Sequence, residues 1–146
     1  MSIVYVRAAL QSKLDGIAPS LATAWENVGY TPVVGTPYQA AYVLAAEPEN
    51  PTMGDGFYRE QGIFQISLFY PLKNGTYTAE HRAQVIRDTF KRGTSITPGE
   101  IYDWYDYYFA PFVTVRIEKT PEISQGRVDG DRWHIPVKIR WFAGII

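Results

Sequence analysis

From Arg59 to Tyr70 the chain alternates. Phe64, Ile66, Leu68 and Tyr70 are large and apolar, and Arg59, Gln61, Gln65 and Ser67 between them are polar. Period two is the mark of a strand with one face on a core. Pro71-Leu72-Lys73-Asn74-Gly75 ends the alternation, because Pro cannot donate to a ladder and Asn-Gly readily takes positive φ. Ala79, Ala83, Ile86 and Phe90 then recur at helical spacing. Thr78 is the expected cap, Glu80 falls in the first turn, and Lys91-Arg92 fall in the last turn before Gly93, each matched to the helix dipole.

The same reading covers the rest of the chain. Ser2 caps a first helix, with Ile3, Val6, Leu10 and Leu14 on one stripe, and Asp15-Gly16 ends it. Leu21 to Asn27 reads as a strand, Thr31 to Pro37 as an extended loop, and Tyr38 to Ala46 as a covered strand. Helix competes for that last segment because of its alanines. Residues 47–56, with two prolines, two glycines and three acids, read as a long, mobile hairpin connection. Thr94 to Pro98 is a break. Ile101 to Pro111, the densest aromatic run, has neither period and reads as loop or irregular edge. Phe112 to Thr120 alternates again, Pro121 to Asp131 is turn-rich with a hairpin signal at Asp129-Gly130, and Trp133 to Trp141 alternates. Pro136 on the polar side of that last strand argues for an edge or a bulge. The order of elements predicts one α+β domain over 1–146, an antiparallel or mixed β-sheet with two α-helices packed on one face.

Composition narrows the function. At 146 residues and 46% hydrophobic the chain can bury a sizeable core, and a net charge of -1 provides no global field for nucleic acid or an anionic membrane. Absence of Cys removes disulfides, thiolate metal sites and a Cys nucleophile. Neither a signal peptide nor a membrane-length apolar run is legible. Aromatic content of 15%, with 11 Tyr and 4 Trp, suits a surface that is wet and adhesive, or a Tyr-rich core and rim.

Little catalytic chemistry is visible. His81 and His134, the two histidines, read as surface residues with no carboxylate or Ser brought beside them. The acidic loop lacks the spacing of a calcium loop, no Gly-rich phosphate loop opens a helix, and no nucleophile elbow appears. Asp103 and Asp106 flank Trp104 and Tyr105, and read as solubilising acids on an aromatic loop rather than a fixed glycosidase pair. Arg82, Arg87, Lys91 and Arg92 gather around the second helix, while Arg116, Lys138 and Arg140 lie on the polar faces of the last two strands. Interleaved with Trp104, Tyr105, Tyr107 and Tyr108, such bases could stack single-stranded nucleic acid, or they form solvated faces that pair with a neighbour's acids.

The pattern Gly62-x-x-Gln65-x-x-x-Phe69-x-Pro71, followed by Gly75, the helix, and Phe90-x-Arg92-Gly93-Thr94, resembles the tail terminator, tail-completion and minor tail proteins of long-tailed bacteriophages and prophages. The first helix and the last two strands fit the same layout; the aromatic run at 102–109 matches no motif of the family. The resemblance implies a structural protein without cofactor, metal or catalytic residues. It implies a homo-hexameric ring in the virion tail, assembled in the host cytoplasm, that caps the tail tube and meets the head completion or connector protein. DNA would pass through unread. It also implies contact arms at 47–56 and 94–111, and an interface drawn from the bases and aromatics named above. A head–tail joining or tube protein, and a small carbohydrate- or nucleic-acid-binding module built on Trp104 to Tyr108, are the alternatives; an enzyme ranks behind both.

Overall fold

A computed structural model describes residues 2–54, 57–97, 100–102, 107–109 and 113–145. The elements are α1 (Ser2–Asp15), β1 (Thr23–Trp25), β2 (Tyr38–Ala45), β3 (Tyr58–Pro71), α2 (Tyr77–Thr89), β4 (Ser95–Ile96), β5 (Glu100–Tyr102), β6 (Tyr107–Phe109), β7 (Val115–Ile117), β8 (Glu122–Ile123), β9 (Arg127–Asp129) and β10 (Arg132–Ile145).

Two long strands, β3 and β10, form the middle of the main sheet, paired antiparallel from Tyr58↔Ile145 to Pro71↔Arg132. The sheet runs β1-β2-β3-β10-β7-β4, and β8 and β9 line the same edge of β10 further along. Every pairing is antiparallel except β1 with β2, so the sheet is mixed. The chain between β1 and β2 crosses back through the proline-punctuated loop, which is long enough to return the strand in the same sense. The ladder of β2 rules out the competing helix.

Both helices cover one face. Phe64, Ile66 and Leu68 of β3 and Ile135, Val137, Ile139 and Trp141 of β10 share a core with Val6, Leu10 and Leu14 of α1 and Ala79, Ala83 and Ile86 of α2. The period-two pattern produces this directly, because alternate side chains of a strand face the same side. In α1 the stripe shifts by a fraction of a turn: Tyr5 and Ala9 are buried and Ile3 is 37% exposed.

Several boundaries differ from the pattern. Helix α2 starts after Thr76, whose side chain makes no cap bond, rather than at Thr78. It ends at Thr89, so Lys91 and Arg92 lie in the turn beyond it, while Phe90 folds back onto Phe64 with ring centroids 5.9 Å apart. In the β3–α2 turn the positive φ values fall on Lys73 and Gly75, not Asn74. The strands expected at Leu21–Asn27 and Phe112–Thr120 shrink to three residues each, and Phe112 lies outside the described residues. The aromatic run is not a loop in its described parts: β5 and β6 pair antiparallel, apart from the main sheet. Pro136 is on a central strand. Its carbonyl accepts from Ser124 N, so its missing N–H faces the break between β8 and β9, where the ladder is interrupted.

Candidate interaction surface

The face of the main sheet turned away from the helices carries cross-strand rows set by register. Tyr38, Phe69 and His134 form one row; Tyr42, Gln65 and Lys138 another; Leu44, Ile63 and Arg140 a third; Gln61, Phe142 and Arg116 a fourth. The first row is closed. Rings of Tyr30, Tyr38, Phe69 and His134 follow one another at 5.2, 4.8 and 4.7 Å between centroids. Buried Arg132 donates to the carbonyls of Val33 and Thr36 and lies over Tyr38, which pins the 31–37 loop beside the stack. Beyond the covered row of Ala40, Ser67 and Pro136 the face is open, with Tyr42 39% and Leu44 48% exposed.

His134 is buried, not on the surface as the alternation suggested, because the ring stack covers it. Both ring nitrogens lack a hydrogen-bond partner, and Asp129 Oδ2 stands 4.0 Å from Nδ1. Burial pushes its pKa below the ordinary value; Arg127 adds to this and Asp129 opposes it. A base with a depressed folded pKa binds more protons when unfolded, so folding stability rises with pH across that interval. Stability is therefore full above about pH 6.5, the unfolded value, and falls as pH drops below it toward the folded pKa. Urea unfolding from pH 7.5 to 5 checks this, with His134→Phe expected to flatten the decline because a phenyl ring keeps the stack and carries no proton. His81 is exposed and rests near Tyr77. Among the described residues neither histidine is hydrogen-bonded to a carboxylate, which leaves no base–orienter geometry. No group of three metal-ligating side chains occurs among the described residues. No described helix is long and apolar enough to cross a membrane.

The bases do not share one surface. Arg82 points inward and is 5% exposed, a correction to its expected place on the outer side of the helix. Its Nη1 donates to Pro19 O at 2.6 Å and its Nη2 to Gln39 Oε1 at 3.4 Å, while Gln39 Nε2 donates to Thr23 Oγ1 at 3.0 Å. This knot ties α2 to the β1–β2 edge. Its signal was present in the sequence: position 82 is three after Ala79 and one before Ala83, inside the apolar stripe. Burial pulls the Arg82 guanidinium below its usual pKa, with Tyr70 opposing.

Arg87 is half-buried and donates Nε to Pro121 O at 3.1 Å, at a cleft between α2 and β8 also lined by Glu80, Gln84 and Trp133. Arg116 is exposed and bonds Ser95 Oγ at 3.3 Å. Lys91 is exposed in the turn after α2. Lys138, Arg140 and Arg92 do converge, through Lys119, which the sequence reading did not single out. Lys119 and Thr120 line both a cleft with Ile63, Glu122, Lys138 and Arg140 and a second cleft with Arg92 and Glu118. Trp104 and Tyr105 lie outside the described residues, and Tyr107 and Tyr108 belong to β6.

A solved structure superimposes on 98% of this chain and 96% of its own length with a TM-score of 0.72 at 22% identity, which shows a shared fold. No curated protein matches the sequence. The model of the phage tail terminator protein family matches residues 5–141. That span contains α1 from Tyr5 onward, both long strands up to Trp141, and the strand–turn–helix segment that carries the resemblance. The chain belongs to the phage tail terminator family, and its role is structural, within the phage tail.

Proposed function

We propose that this chain forms a six-membered ring that ends the tail tube and joins it to the head connector. The family match over residues 5–141 carries this reading. The surface chemistry agrees with it. A ring needs two different, complementary side surfaces on each copy. Bases on the open sheet face and acids on the 47–54 arm are segregated in that way, although the net charge is only -1. In this reading the chain assembles in the host cytoplasm, DNA passes through the ring without sequence recognition, and the binding partners are the tube and connector proteins.

Particles made without this chain are expected to carry overlong tails or tails without heads when viewed by negative-stain electron microscopy. Tails of normal length joined to heads would remove the reading. Headless tails of normal length would assign the chain to head–tail joining instead of length termination.

A further inference from the structure

We propose that the acidic arm at residues 47–54 of one copy docks on the basic shelf formed by Arg92, Lys119, Lys138 and Arg140 of the next. The inference rests on the ring reading above and names the contact that closes the ring.

The shelf is built from two clefts that share Lys119 and Thr120, the first about 250 Å3 with Ile63 in its lining. None of its four bases has an ion-pair partner among the described residues. Of the two acids beside them, Glu118 is engaged by Arg59 at 3.4 Å, which leaves Glu122 against four cations. Such a site is incomplete electrostatically. It attracts carboxylates, and Leu44 and Ile63 beside it offer apolar contact.

The arm has the complementary character. Glu47 and Glu49 are its charged residues, it contains no base, and every residue from Ala46 to Gly54 is exposed. Met53 at its far side is 102% exposed, an apolar group with no packing in its own chain. Pro48 and Pro51 restrict the backbone, so less conformational entropy is lost on docking than for a free loop. The arm does not reach its own shelf. Ala46 N bonds Gln61 O, and the Glu49↔Arg59 bridge holds the arm along the continuation of the β2–β3 ladder. No arm residue lines either cleft. The occupant of the shelf is therefore a second copy, and one surface meeting a different one is the heterologous contact that generates rings.

Charge reversal tests this in particles. Glu47→Lys with Glu49→Lys, and separately Lys138→Glu with Arg140→Glu, are each expected to reduce the copies of the chain per purified tail by about tenfold. All four changes in one chain restore opposite charges across every contact, and incorporation returns toward wild type. Wild-type incorporation of either pair, or a quadruple variant no better than the pairs, overturns the docking. The absence of native cysteines permits an independent readout. Oxidation of tails carrying Met53→Cys with Lys119→Cys is expected to produce a ladder of covalent multimers, and Met53→Cys alone to produce none. Tails that carry the double variant without multimers overturn the docking too. Correctly terminated tails accompanying any of these overturning results would leave the ring reading intact while this contact fails, so the two failures are distinguishable.

Discussion

Gly62→Val is expected to destabilise the protein by about 3 kcal/mol, near the upper end for overpacking a core. Gly62 faces the helix side of β3, paired with Ala45 on one strand and Trp141 on the other. Any Cβ there would press into the Leu44 carbonyl and stand 2.9 Å from Trp141 Cζ2. The first of these is backbone and cannot rotate away. Trp141 is fully buried at the middle of the core, so its indole has no room to yield either. Equilibrium urea unfolding followed by Trp fluorescence reads the loss directly, and a chain of this size should melt roughly 6–12 °C lower. Gly29→Ala is the matched control, since a Cβ there meets nothing within 4 Å. A Gly62→Val protein as stable as that control would mean that the sheet does not approach Trp141 this closely.

Arg82→Ala is expected to cost about 2–3 kcal/mol, in the range for stranding buried polar groups. The change removes the donors to Pro19 O and Gln39 Oε1 and strands the Gln39 amide, which is 1% exposed, while Pro19 is exposed and its carbonyl is free to meet water. The cost is held down because Arg82 Nε is itself buried without a partner, so part of the penalty of burying the guanidinium is already uncompensated. Arg92→Ala, an exposed change, should stay within about 0.5 kcal/mol of wild type. Parallel urea titrations of the two variants separate an arginine that holds the fold from one free to meet a partner. Equal stabilities would place Arg82 back on the surface. The distinction bears on phage assembly: a tail defect in Arg82→Ala would report a damaged fold, and a defect in Arg92→Ala would report a damaged contact.

Glu26 makes a second charged joint, half-buried where Arg82 is buried. Burial alone would raise its pKa, yet hydrogen bonds from Arg7 and from Val43 N hold it below the ordinary carboxylate value. It fastens α1 to the parallel β1–β2 pair, much as Arg82 fastens α2. Each helix is thus tied to the weak edge of the sheet by a charged side chain, while its apolar stripe packs on the middle.

What the sequence determined by itself was local and periodic. The alternation of β3 and β10 dictated which side chains face the core, and the 3.6-residue spacing dictated the inner stripe of α2. The Gly62 to Thr94 pattern carried the family, since those residues specify a strand, a turn and a helix in fixed succession. Gly62 also bore a readable warning, because a glycine inside a strand marks a close approach.

Only the tertiary structure decided the rest, because those features depend on what lies across from a residue rather than beside it. The alternation could assign His134 to the outer face, but not the ring stack that buries it. Basic spacing could gather Arg82 with Arg92, but the acceptors that draw Arg82 inward lie 43 and 63 positions away in sequence. The shelf likewise unites Arg92 from the turn after α2, Lys119 from the chain after β7, and Lys138 with Arg140 from β10. Residues so far apart along the chain acquire a common electrostatic field only when the fold brings them around neighbouring clefts.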